Sequence, residues 1–224
     1  MSRRARRLIG VALAVGVLAG CASAPPPPPE PRRLQARAAY ERGLSHIREG
    51  QTSPALGALR EATSLDPSVP LYFNTLGLLL LELRRPDLAL EPFRQAVALD
   101  PTYADAHLNL GIALAETGSW GEAVPAYRRA LALPGLTAES VAHQNLGLAL
   151  YHLRQFEEAE RELRFAIAID PRMEAAYYNL GLVLVATGRP DDARAAFRHL
   201  RDRAPQTPFG RAAIEQLRGL GDGG

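Results

Sequence analysis

Catalysis needs a nucleophile or base in company, and this chain of 224 residues offers few candidates. It has one cysteine, Cys21, five histidines and no lysine; all 26 basic side chains are arginine. The missing ε-amine removes Schiff-base chemistry and the phosphate-binding lysine of a P-loop. Neither HExxH nor GxSxG occurs. The tail from Gly219 to Gly224 fits GxGxxG letter for letter. It has no preceding strand and no following helix, so residues 220–224 are expected to form a frayed terminus without a ligand. No enzymatic activity, cofactor, metal or small-molecule substrate is expected.

The cysteine belongs to a different chemistry. Residues 1–7 carry Arg3, Arg4, Arg6 and Arg7, and residues 8–19 run apolar as LIGVALAVGVLA. This is a charged n-region before an apolar h-region, shorter than the ~20 residues a membrane-crossing helix needs. The run ends in Leu18-Ala19-Gly20-Cys21, which resembles the lipobox of bacterial lipoproteins. The resemblance implies that residues 1–20 are a signal peptide cut before Cys21. It also implies diacylglycerol on the thiol and an N-acyl chain on the new terminus, more than the two signals stable anchoring requires. Ala22, where inner-membrane lipoproteins carry Asp, implies sorting to the outer membrane with the body facing the periplasm. Without residues 1–20 the chain holds 22 basic and 24 acidic side chains, so it offers no basic face for nucleic acid. Pro25–Pro29 and Pro31 mark residues 21–35 as a semi-rigid, polyproline II spacer.

The elements behind the spacer repeat. Leu76-Gly77, Leu110-Gly111, Leu146-Gly147 and Leu180-Gly181 recur at separations of 34, 36 and 34 residues. Twelve residues after each glycine stands Ala89, Ala123, Ala159 or Ala193; four further on comes Phe93, Tyr127, Leu163 or Phe197. Asp66-Pro67, Asp100-Pro101, Asp170-Pro171 and Ala204-Pro205 close units, because the residue before proline avoids the helical region. The spacing predicts antiparallel helix pairs, A and B, with small residues permitting close approach and large ones filling the seam between neighbouring units. Gly118 and Gly188 are expected to turn the chain between A and B, a role that falls to Arg154 in the fourth unit. Pro125 lies early in its helix, whereas Pro92 is expected to bend its own.

The pattern resembles the tetratricopeptide repeat. The resemblance implies an all-α, right-handed α-solenoid of five helix-turn-helix units, 36–69, 70–103, 104–139, 140–173 and 174–207. Residues 208–219 form a capping helix with Phe209, Ala213, Ile214 and Leu217 on one stripe. No unit buries its apolar face alone, so stacking makes the core. The third unit is two residues long at Leu133–Thr137, where a change of superhelical pitch is expected.

In such solenoids helix A lines the concave face. Asn109, Asn145 and Asn179, with Thr75 in the second unit, fall one position before each Leu-Gly and would form a row along the groove. An amide both donates and accepts, so the row could pair with the backbone of an extended peptide, or it could bond within its own unit. Leu78, Ile112, Leu148 and Leu182 follow the glycines, and Leu108, Tyr151 and Tyr178 are expected beside them. An apolar, amide-lined groove suits an apolar or amphipathic segment of a partner protein. Some of these leucines would instead be covered by the next unit. His107 and His143 stand where an aromatic is usual; in stacked units they would lie ~10 Å apart, too far to share an ion. His46, His152 and His199 have no carboxylate or thiol at ligand spacing.

The lipobox, short linker, five or six helical hairpins and the lengthened junction LALPGLTAESVAHQNLG together resemble the type IV pilus biogenesis lipoproteins. That resemblance implies a pilotin, assisting secretin subunits to reach and assemble in the outer membrane. The other reading is a lipoprotein adaptor that recruits periplasmic proteases or peptidoglycan hydrolases.

Overall fold

The computed structural model describes residues 28–221. The expected signal peptide, Cys21, most of the proline run and the last three residues of the tail lie outside them. Eleven helices follow one another among the described residues, and no strand occurs. They are α1 (Glu30–Arg48), α2 (Thr52–Leu65), α3 (Pro70–Glu82), α4 (Pro86–Leu99), α5 (Ala104–Glu116), α6 (Trp120–Ala132), α7 (Glu139–His152), α8 (Phe156–Ile169), α9 (Glu174–Ala186), α10 (Pro190–Arg203) and α11 (Pro208–Gly219). Consecutive helices pack in pairs, A then B, and α11 closes the row against α9 and α10. The protein is an all-α solenoid.

The spacer expected to run to residue 35 is shorter. Pro29 has φ −59° and ψ 150°, and helix begins at Glu30 with Pro31 in its first turn, where its missing N–H costs nothing. Arg32 through Ala39 are good helix formers, and Ala36 and Ala39 are fully buried.

Each Asp-Pro works as a two-part stop. Asp66, Asp100 and Asp170 hold extended backbone with ψ near 90°, as the following proline demands. Their carboxylates then accept the backbone N–H two residues on: Ser68 at 3.1 Å, Thr102 at 2.9 Å and Arg172 at 3.0 Å. The A-to-B turns share another device, one residue at positive φ. Glycine serves at Gly50, Gly118 and Gly188, but Arg84 (58°) and Arg154 (61°) hold the same conformation with a side chain attached. Helix α4 runs unbroken through Pro92 from Pro86 to Leu99.

Packing inside a unit differs in one respect from the sequence-based expectation. The large residue of helix B also covers the glycine of its own helix A. A methyl added to Gly77 would lie 2.6 Å from the Phe93 ring; at Gly111 it would meet Tyr127 at 2.5 Å, at Gly147 Leu163 at 2.6 Å, and at Gly181 Phe197 at 2.4 Å. All four large residues are buried. A large side chain laid on bare backbone, a ring in three of the four units, is what brings the two helices together. The core then runs on through Leu146, Leu150, Val183, Leu184 and Leu200 to Leu217 of α11.

Two irregular places are tied down. The extra residues after α6 form a loop with Gly135 at φ 80°, and Thr137 donates both its N–H and its hydroxyl to Asp105 of α5, each at 3.0 Å. Across this junction Trp120 stacks on His152, with ring centres 4.0 Å apart. At the far end Thr207 caps α11 by accepting the Gly210 N–H, and Gly210 sits so near Ala204 O that no side chain fits there.

Candidate functional site

Curvature identifies the inner face. Helices α3, α5, α7 and α9 touch in succession, whereas successive B helices make no comparable contact among the described residues. Rows that touch form the concave side; rows that splay form the convex side. The gaps on the convex side are bridged by long side chains: Arg94 to Glu122 at 3.4 Å, Arg128 to Glu158 at 2.5 Å, and Arg189 to Glu160 at 2.8 Å. Glu160 also accepts from Arg164. Burial pushes the Glu160 carboxyl up, but the two guanidiniums outweigh it and hold its pKa below the ordinary value. Two rungs of this ladder were readable as Arg94 and Arg128, equivalent positions 34 residues apart. The sequence reading passed over it.

The inner face is largely apolar. Leu71 and Leu78 of α3 are 43% and 42% exposed, and Val185 of α9 is 38% exposed. Ile112, Leu148, Tyr151, Tyr178 and Leu182 are half-buried, each leaving part of its side chain to the groove. Leu108 is different. It is 4% exposed and belongs to the central core, so it cannot greet a partner as expected; its helix turns it under the next unit. Phe209 of the cap, on the same apolar stripe as Leu217, is 36% exposed and lies 5.8 Å from the Tyr178 ring, extending the groove beyond the fifth unit.

The asparagine row is not uniform. Asn109 donates to the Asn74 side chain of the preceding unit at 3.0 Å, and Asn74 donates to the Tyr103 hydroxyl at 3.2 Å. The bond is neither with a peptide nor within one unit; it staples α5 to α3. Thr75 is likewise occupied, by Tyr40 and by Leu71 O. The Asn145 amide forms no hydrogen bond among the described residues, and its reason is legible: the position that Asn74 fills is Leu108 one unit later. Asn179 is 7% exposed, and its amide likewise forms no hydrogen bond among the described residues. Since no fully buried side-chain polar atom lacks a bond among the described residues, the Asn179 amide keeps an opening to solvent. Asn74, Tyr40 and Tyr103 escaped the sequence reading because nothing in the repeat marks them.

Charge divides the groove. Glu82 and Glu116 end α3 and α5 with exposed carboxylates, while the inward stripes of α7 and α9 carry no acid or arginine. The histidines are occupied by packing and by single hydrogen bonds. His107 donates to Pro101 O at 3.2 Å, and burial lowers its pKa, keeping it neutral. His143 bonds Glu162 at 2.6 Å. Among the described residues no group of three His, Cys, Asp or Glu could hold a metal, and no helix is long and apolar enough to cross a membrane.

A family model, the tetratricopeptide repeat, matches residues 74–136 and 145–208. No curated protein matches in sequence. Among solved structures, PilW, described as a widely conserved type IV pilus biogenesis factor, is similar at 22% identity with a TM-score of 0.73, covering 84% of this chain and 87% of its own. MamA from Desulfovibrio magneticus is similar at 21% identity and TM-score 0.68, covering 83% and 96%. YrrB, described as a repeat protein of this kind with an unusual peptide-binding site, gives 19% identity and TM-score 0.69, covering 80% and 92%.

Proposed function

The chain belongs to the tetratricopeptide repeat family, a fold that acts as a protein-interaction scaffold, and from that footing we propose that its concave groove holds an apolar segment of a partner protein at the outer membrane. The observation that carries the reading is the inner face itself. Leu71, Leu78 and Val185 stand exposed there beside half-buried Leu148, Tyr151, Tyr178 and Leu182, an apolar strip of the kind that marks a binding surface. Diacylglycerol and an acyl chain on Cys21 would tether the scaffold to the periplasmic leaflet. The partner is a secretin subunit, and the role is that of a pilotin. The likeness to PilW in fold supports this reading together with the lipobox and the lengthened third junction.

Leu78→Arg combined with Val185→Arg places charge on two exposed sites without opening the core. In cells this variant should fail to restore the SDS-resistant secretin multimers that the wild-type gene restores. Unchanged multimers in the gene's absence would reject the secretin role. Recovery of proteases or peptidoglycan hydrolases on the mature chain would favour the adaptor reading instead. Mass spectrometry of the mature amino terminus tests the anchor separately: an unmodified Cys21 would remove it.

A further inference from the structure

We propose that the edge of the solenoid where A helices begin and B helices end lies on an anionic bilayer surface, with apolar side chains entering the interface and arginines meeting lipid phosphates. The groove is left open by this contact, which rests on the anchor reading at Cys21. Bonds across the hairpins define the edge. Arg32 at the start of α1 donates to Ser64 O near the end of α2 at 3.2 Å, and Arg129 near the end of α6 donates to Pro101 O ahead of α5 at 3.3 Å. The three most exposed large apolar side chains among the described residues stand there: Leu34 at 62%, Phe165 at 55% and Ile169 at 47%. Leu34 is in the second turn of α1, and Phe165 and Ile169 are one turn apart at the end of α8. Each therefore lies within about 6 Å of the edge along its helix axis.

Charge complementarity names the occupant. Arg33 flanks Leu34, and Arg172 follows Ile169 in the next turn. The guanidiniums of Arg33, Arg172 and Arg203 form no hydrogen bond or ion pair among the described residues. Arg172 and Arg203 line one open pocket in which Glu174 is the single carboxylate, so two cations stand against one anion. Arg203 holds the position that is leucine or isoleucine in the four preceding units, so the repeat itself does not call for a cation there. Uncommitted arginines beside exposed apolar side chains make a surface suited to anionic headgroups, where burial and electrostatic attraction act together. The tether enters on the same side. Residues 22–29 join Cys21 to α1 and reach at most about 30 Å. Helix α1 starts at this edge; with the opposite edge toward the bilayer, the tether would first have to run a helix length, about 20 Å.

The test uses the lipidated mature protein in phosphatidylcholine vesicles with about 30% phosphatidylglycerol, an anionic content that attracts basic surfaces. A polarity-sensitive dye is attached through Phe165→Cys, the one free thiol once Cys21 is acylated, or through Leu88→Cys at the opposite edge. The first dye should shift to the blue and be quenched by brominated lipid; the second should do neither. Arg172→Glu combined with Arg203→Glu should abolish the shift and leave the thermal melt unmoved, since both side chains are exposed. Arg33→Glu serves if that pair fails to fold. Equal responses from the two dyes, or a shift that survives charge reversal, overturn the proposal. A second arm removes the anchor: the full mature chain carrying Cys21→Ser should sediment with the anionic vesicles about tenfold more than with phosphatidylcholine alone. Equal sedimentation with both overturns the proposal even if Cys21 proves acylated. A bare Cys21 in mass spectrometry, with this preference intact, removes the anchor reading and keeps the edge.

Discussion

Gly181 has no room for a methyl group: one placed there would stand 2.4 Å from the Phe197 ring, and both residues lie in the core. Gly181→Ala should therefore lower the unfolding free energy by about 1–3 kcal/mol in urea titrations, the usual cost of overpacking. Gly57 sits in α2 with nothing within 4 Å of the same position, so Gly57→Ala should raise stability by about 0.5–1 kcal/mol. Equal effects at the two sites would contradict the packing described. This contrast also marks what the sequence conveyed. Leu-Gly at a fixed spacing identified the glycines that permit close approach, though not that a large side chain of the same unit lies on each. Asn109 and Asn145 look alike in sequence; what separates them is Asn74 against Leu108 one unit back, a difference visible only once stacking brings those positions together. Leu108 was misread for the same reason, since its burial depends on the core that neighbouring units build around it.

At the level of helices, the convex side holds together differently from the concave side. The A helices meet through apolar contact, whereas the B helices are linked across open space by Arg–carboxylate pairs that are mostly exposed and individually weak. Glu160 is the exception, 19% exposed and shared between Arg164 and Arg189. Its folded pKa is below its unfolded value, so the stabilisation it provides is complete above about pH 4.5 and fades as pH falls through the lowered folded value. Glu160→Gln should flatten the acid limb of a stability–pH profile, leaving the neutral end with only a small, salt-sensitive loss. An acid limb identical to wild type would show that the two guanidiniums do not hold the carboxylate. The turns teach a related lesson. Gly118 and Gly188 announced themselves, but Arg84 adopts the same left-handed turn without any mark in its residue type.

Across the whole molecule, each unit touches only its neighbours, so stability is distributed along the row and the ends are held by what covers them. Leu217 of α11 is 1% exposed against Leu200 and its surroundings. Leu217→Ala should cost about 2–4 kcal/mol locally, from lost transfer energy and the cavity left behind. Hydrogen exchange should accelerate in α9 to α11 before it does in α3 and α4. Uniform acceleration over the whole chain would argue for one cooperative block. The order of units, their number and the cap were legible because each repeats a pattern; the length of the spacer was not, since a proline in a helix's first turn looks the same as one outside it.

The stacked pair at the third junction has a practical side. Trp120 is the chain's single tryptophan, and it rests face to face on His152 of the following unit. The protein thus carries a built-in optical gauge at the joint between its third and fourth hairpins, the place where its regular period slips. Any partner that prises open or tightens that joint will change the indole's emission, and the change will arise from that one place.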